Sequence, residues 1–93
     1  SAGLDYPGVS PIHCYLKDTK RARYTSATDE EALKAYKLVT KLEKIRPSLE
    51  PSHAFAEAIK IAPTLSKDTL IVCNSCGDSA KDRDILKARL GKI

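Results

Sequence analysis

Apolar residues recur at three- and four-residue spacing in the middle of the chain, behind a polar signal for a helix start. Thr28-Asp29-Glu30-Glu31 has the form of a capping box, in which the threonine hydroxyl and the last glutamate each accept a backbone amide. Lysines at 34, 37, 41 and 44 separate the apolar positions that follow, which are Ala32, Leu33, Ala35, Tyr36, Val39 and Leu42. This spacing predicts a helix of about four turns that packs one face against a core.

Serine, proline and glycine signals mark three further helices. Residues 10–18 begin with serine then proline, the order of an N-cap followed by the first helical residue. Residues 52–62 have helical apolar spacing and stop at Pro63, and residues 81–90 end in front of Gly91. The sequence therefore predicts four helices in all.

Two short runs have the composition of strands. Residues 23–27 combine aromatic and β-branched side chains, and residues 69–73 form the continuously apolar run typical of a strand buried on both faces. The order strand, helix, strand, helix predicts an α/β fold of short strands with flanking helices. Ligands are then expected at the carboxyl ends of the strands, such as the loop at residues 74–79.

Composition narrows the class of protein. The 93 residues are 42% hydrophobic and 30% charged, which is typical of one small globular domain, and they contain neither a membrane-spanning run nor a signal peptide. A cytoplasmic protein is expected. The net charge of +4 is spread over helical stretches, and the basic cluster at residues 17–23 lacks the interleaved aromatics that stack on bases. Binding to nucleic acid or membrane is not expected.

Three cysteines leave a second class of function open. An odd number without a secretory signal argues for reduced thiols, not a disulfide framework. Cys73 and Cys76 have CxxC spacing, which also occurs in redox dithiols and in half of a zinc site. A zinc site needs four ligands, and only Cys14 together with His13 or His53 could complete one.

Four segments resemble one protein family in the same order along the chain. They are SAGLDYPGVSP at residues 1–11, YLKDT at 15–19, SATDEEAL at 26–33 and LEPSHA at 49–54. These segments are similar to the C-terminal part of the tryptophan synthase β chain, and the resemblance covers almost the entire sequence. It implies a pyridoxal-phosphate lyase of fold type II that joins indole to L-serine. A tryptophan synthase α chain and a second β chain are the partners it implies.

The resemblance also implies roles for individual residues. Gly3 would contact the cofactor ring through its backbone, Asp5 would close the substrate side of the site, and Glu50 would stand near the ring and the reacting indole. The carbonyls of Tyr6 and Gly8 would help to hold a monovalent cation. This chemistry is reasonable, because carbonyl oxygens suit a hard cation and a carboxylate can stabilise positive charge on the indole nitrogen.

The loop after residue 73 departs from the family pattern. The family usually has NLSGRGDKD where this chain has NSCGDSAKD at residues 74–82. Cys76, followed by Gly77, therefore stands where a serine of the family meets the pyridine nitrogen of the cofactor, and a thiol is a weaker partner for that nitrogen. Cys76 and Gly77 are the cofactor-binding residues expected in this loop.

The same resemblance predicts that this chain is a piece of a larger enzyme. The lysine that carries the cofactor as a Schiff base, and the glycine-rich phosphate loop, would lie upstream of Ser1. The 93 residues alone are then expected to be inactive. They would expose faces meant for missing elements, so self-association or a non-catalytic role as an interaction module is the remaining expectation.

Overall fold

The structure is a computed structural model that describes residues 2–4 and 8–91. It consists of helices joined by irregular segments. The α-helices are α1 (Pro11–Asp18), α2 (Asp29–Glu43), α3 (Leu49–Ile61) and α4 (Arg83–Leu90). Three short 3-10 segments lie at Ala2–Leu4, Ala62–Thr64 and Ser79–Asp82.

The predicted capping box starts α2. The Glu31 amide donates to the Thr28 hydroxyl at 3.1 Å, and the Thr28 amide donates to Glu31 Oε1 at 3.0 Å. Lys60 on α3 adds an ion pair to the other carboxylate oxygen at 2.9 Å. The Thr28 amide and the Lys60 ammonium together lower the pKa of Glu31 from 4.5 to about 2. The helix start that was read from the sequence is confirmed.

The small core lies between α2, α3 and α4. Tyr36, Leu49 and Leu86 form one buried cluster, with Leu33 and Leu90 packed against it. The predicted inner face of α2 is correct for its first turns, where the buried residues are Ala32, Ala35 and Tyr36. It is wrong for the last turn, because Leu42 is 64% exposed.

Helix α3 begins at Leu49 and not at Ser52 as predicted. Its N-cap residue, Ser48, makes no side-chain cap hydrogen bond. Instead the Leu49 amide donates to the buried carboxylate of Asp82, at 2.9 Å and 33 residues away in sequence. An acceptor so distant leaves no local signal, which is why the sequence placed the helix start too late. The earlier start buries the face that carries Leu49, Ser52 and Ala56.

The two predicted strands do not form within the described residues. Residues 23–28 and 69–76 are irregular, and the described part of the chain contains no strand. Leu70 and Val72 are 91% and 93% exposed, so the expected burial on both faces is also wrong. A strand requires a neighbouring backbone to complete its hydrogen bonds, and apolar composition alone does not supply one. In place of an α/β layer, the described residues form a helical arrangement.

The remaining helices are less deeply packed. Helix α1 has no buried residue, and α4 buries only Leu86. The radius of gyration is 14.5 Å, whereas a compact domain of this length has about 12 Å. None of the described helices is long and apolar enough to cross a membrane.

Candidate functional site

Three segments of the chain meet at the start of α3, and we call them the first, second and third loops: residues 2–4, residues 48–54 and residues 74–82. The Gly3 amide donates to Glu50 Oε1 at 3.2 Å, across 47 residues of sequence. The Ser48 hydroxyl donates to the Cys76 carbonyl at 2.9 Å, across 28 residues. The first and third loops therefore both contact the second loop within three consecutive residues.

Glu50 is the centre of a charged cluster. Lys81 Nζ lies 2.7 Å from Glu50 Oε1, 2.6 Å from Oε2 and 2.9 Å from Asp82 Oδ1. The Lys81 ammonium lowers the pKa of Glu50, and partial burial of the carboxyl opposes that effect. In turn, the hydrogen bonds to Glu50 and Asp82 raise the pKa of the Lys81 ammonium. Glu50 is therefore a carboxylate at neutral pH.

Sequence reasoning missed Lys81 and Asp82 as members of this site. They stand in the 3-10 segment Ser79–Asp82, which the sequence joined to the last helix. The one signal that could have found them is the Lys-Asp pair at 81–82, which matches the family pattern, as Asn74 and Gly77 do, in a loop that departs from that pattern at its other five positions.

Two glycines allow the loops to approach this closely. A Cβ on Gly3 would lie 2.8 Å from Glu50 Cγ, so any side chain there would displace the carboxylate. Gly77 has φ of +85°, and a Cβ on it would lie 2.9 Å from the Ser48 hydroxyl oxygen. Both positions therefore require glycine for contact between loops.

Glu50 borders an open groove of about 1230 Å³. Leu4 and Asn74 line it from the other two loops, so each of the three loops contributes to its wall. The rest of the lining is mainly apolar and includes Leu33, Ile71 and Ile85. The groove is therefore a mainly apolar surface that also carries charged side chains, with the Glu50 carboxylate at its border.

The other residues that the resemblance pointed to lie in different places. Gly3 contacts Glu50 directly, whereas Cys76 and Gly77 are exposed at the turn beside Ser48. Gly8 is also exposed. Among these four residues none lines the groove itself. Their roles stay predictions.

Asp5 and Tyr6 lie outside the described residues. The expected closing carboxylate and one of the two expected cation-binding carbonyls therefore also stay predictions.

The alternative of a zinc site finds no support in residues 2–4 and 8–91. They contain no group of three or more His, Cys, Asp or Glu side chains that could hold a metal ion. The three cysteines are free thiols. His53 Nδ1 donates to the Leu49 carbonyl at 2.9 Å, and His13 Nδ1 lies 2.8 Å from the Tyr24 hydroxyl. Neither histidine therefore forms a metal-binding group with Cys73 and Cys76.

Comparison with known proteins agrees with the resemblance read from the sequence. No protein-family model matches the chain. The tryptophan synthase beta chain of Cereibacter sphaeroides is 57% identical over 91 residues, which are 98% of this chain and 22% of that protein. That of Bordetella petrii is 53% identical over 91 residues, or 98% of this chain and 23% of that protein. That of Stenotrophomonas maltophilia is 52% identical over 93 residues, or 100% of this chain and 23% of that protein.

The chain thus spans about a fifth of the length of the curated relatives it matches. Sequence identity above 50% with these relatives, over 98% or more of the chain, is too high to arise by chance. This chain is related, over nearly its whole length, to the C-terminal part of the tryptophan synthase beta chain.

Proposed function

We propose that this chain forms the C-terminal part of a pyridoxal-phosphate-dependent tryptophan synthase β chain of fold type II, which joins indole and L-serine to give L-tryptophan. The observation that carries the proposal is the convergence of the three loops on the start of α3, which carries Glu50. Gly3 and the turn at residues 76–77 reach the start of α3 from opposite ends of the chain. A shielded charged side chain with a specific partner, beside a groove, supports a chemical role for this site.

Glu50 is the residue we assign to the reacting indole. Its carboxylate is charged, largely shielded and next to an apolar groove. As the indole attacks, positive charge develops on the ring nitrogen, and a fixed carboxylate nearby favours that charge. Water competes poorly for a side chain that is only 18% exposed.

The turn at Cys76 fits one edge of the cofactor. Its backbone is fixed through the carbonyl that Ser48 binds, while its side chain is exposed and available to a ligand. A thiol can donate weakly to the pyridine nitrogen. When bound, pyridoxal phosphate supplies an electron sink for the carbon atoms derived from serine. Gly3 and Gly77 would allow the backbone to lie close to the ring.

The proposal extends to the parts of the enzyme that these residues alone do not provide. Asp5 would close the substrate side, and the carbonyls of Tyr6 and Gly8 would bind a monovalent cation. A tryptophan synthase α chain and a second β chain would be the partners. Every lysine between residues 8 and 91 is exposed, and the one in the site, Lys81, is held as an ammonium by two carboxylates. None of these lysines has the desolvated surroundings of a Schiff-base lysine, so the 93 residues alone are proposed to be inactive.

Substitution of Glu50 in the longer protein tests this proposal. Glu50→Gln should retain cofactor absorbance and lower the rate of indole joining by about a hundredfold, the scale for loss of one electrostatic group at a reacting centre. Glu57→Gln, on the same helix and the same groove, is the matched control and should keep the rate. Full turnover by Glu50→Gln would refute the assignment.

The cofactor side is tested at Cys76. Cys76→Ser should preserve the cofactor spectrum, whereas Cys76→Asp should favour a protonated ring nitrogen and shift that spectrum. Cys14→Ser, which changes an exposed thiol on α1, is the control. An unaltered spectrum in Cys76→Asp would mean that this turn does not face the cofactor.

A further inference from the structure

Lys81 joins the third loop to Glu50 by the shortest polar contacts of the site. Its ammonium lies between both oxygens of Glu50, at 2.7 and 2.6 Å, and Asp82 Oδ1 at 2.9 Å. The Glu50 and Asp82 side chains are only 18% and 3% exposed, whereas that of Lys81 is 49% exposed. The lysine therefore reaches inward from a partly exposed position to two shielded carboxylates.

Asp82 holds this ammonium in place. One of its oxygens accepts the Leu49 amide at the first turn of α3, and the other accepts Lys81. Glu50 is the next residue of that turn. The backbone that carries Glu50 and the lysine that pairs with it are thus anchored to the same buried carboxylate, which sets their separation.

Within the described residues no second cation pairs with Glu50, and Arg89, which lines the same groove, pairs with Asp29 instead. The groups that face it are Lys81 and, through Lys81, Asp82, together with the neutral Gly3 amide at 3.2 Å. His53 lies one turn further along α3, and its Nδ1 donates to the Leu49 carbonyl and not to Glu50. Lys81 is therefore the group that balances the Glu50 charge.

We propose that Lys81 is a positioning residue for the indole-joining step: it fixes the direction of the Glu50 carboxylate and pairs with its charge. This inference rests on the proposed function. Because Gly3 donates to the same oxygen that Lys81 binds, a change at Lys81 also reaches the first loop. The lysine acts only through Glu50 and touches no reacting atom in this assignment.

The test compares Lys81→Met with Lys81→Arg in the longer protein. Lys81→Met should lower the rate of indole joining about tenfold, the scale for partners that orient a working group. The acidic limb of its pH profile should move to higher pH, because the Glu50 pKa rises toward its ordinary value once the ammonium is lost. Lys81→Arg should restore most of the rate. Lys60→Met, which removes the matched ion pair to Glu31, should leave the limb in place.

A double-substitution cycle separates positioning from general support of the fold. In a Glu50→Gln background, Lys81→Met should have no further effect on the rate. An equal loss in that background, or an unshifted acidic limb in Lys81→Met, would overturn the inference.

A second readout uses the cofactor-free protein. Infrared difference spectra between the wild type and Glu50→Gln report the carboxylate band of Glu50 during an acid titration. The band should persist below the ordinary pKa of glutamate in the wild type and disappear at higher pH in Lys81→Met. A Glu50 that titrates identically in both proteins would also overturn the inference. If the wild type joins no indole, the proposed function fails, and this titration still tests the hold of Lys81 on Glu50.

Discussion

Single residues decide how closely the loops of this protein meet. Gly77 combines a positive φ of +85° with a neighbour, the Ser48 hydroxyl, in the space that a Cβ would occupy. Gly91 has a similar φ of +75° but no atom within 4 Å of its Cβ position. A comparison of substitutions at Gly77 and Gly91 therefore distinguishes the energy cost of backbone strain from that of a steric clash.

Gly77→Ala should lower the free energy of unfolding by about 2 kcal/mol, since left-handed backbone costs an alanine about 1 kcal/mol and the clash with Ser48 adds to it. Chemical denaturation measures the loss. Gly91→Ala, the control, should lose only the backbone contribution. Equal losses in the two variants would show that Ser48 moves aside without cost.

At the scale of elements, we expect a helix cap to contribute more to the stability of the protein when its helix buries more side chains in the core. Thr28 caps α2, which carries three buried residues, whereas Ser10 caps α1, which carries none. Both caps hold a backbone amide at 3.1 Å. Thr28 has in addition the reciprocal bond from its own amide to Glu31, which Ser10 lacks, so the two caps differ both in this bond and in the packing behind them.

Thr28→Ala should therefore lower the melting temperature, by the equivalent of about 1 kcal/mol. Ser10→Ala should leave the melting temperature nearly unchanged, because α1 can fray without opening the core. Circular dichroism during heating compares the two variants. A melt of Thr28→Ala that matches the wild type would show that α2 is held by its packing alone.

At the scale of the whole molecule, the described residues bury few apolar side chains and expose many. The core cluster has three residues, while Leu70 and Val72 project almost fully into solvent beside Ile71 at 42% exposure. Apolar side chains exposed in one run favour contact with another surface. Self-association, which the sequence led us to expect, stays a prediction, and residues 70–72 are the segment we expect to mediate it.

The chain alone should self-associate with rising concentration, and Leu70→Lys combined with Val72→Lys should shift it toward the monomer. Sedimentation velocity measures the change. Unfolding free energy should hardly move, because both side chains are exposed. Leu42→Lys, at 64% exposure on α2, is the control and should keep the association. A wild-type chain that stays monomeric at high concentration would contradict this prediction.

Much of the helical structure was predictable because its causes are local. The Thr28 capping box, the Ser10 cap with Pro11, and Gly91 at the end of α4 each act within about one helical turn. The resemblance added Glu50 and Gly3, which the structure finds in direct contact. The strand predicted at residues 69–73 does not form, and its absence was not predictable, because apolar composition does not tell whether a neighbouring backbone is present.

The sequence by itself determined where α2 begins, which face of its first turns is buried, and the relation to the tryptophan synthase beta chain. Only the tertiary structure decided that α3 starts at Leu49, that Lys81 pairs with Glu50, and that Ser48 meets the Cys76 turn. These last contacts join residues 28 to 33 positions apart. Such contacts form only when two distant segments pack against each other, and the local pattern of residues in one segment does not tell which other segment it packs against.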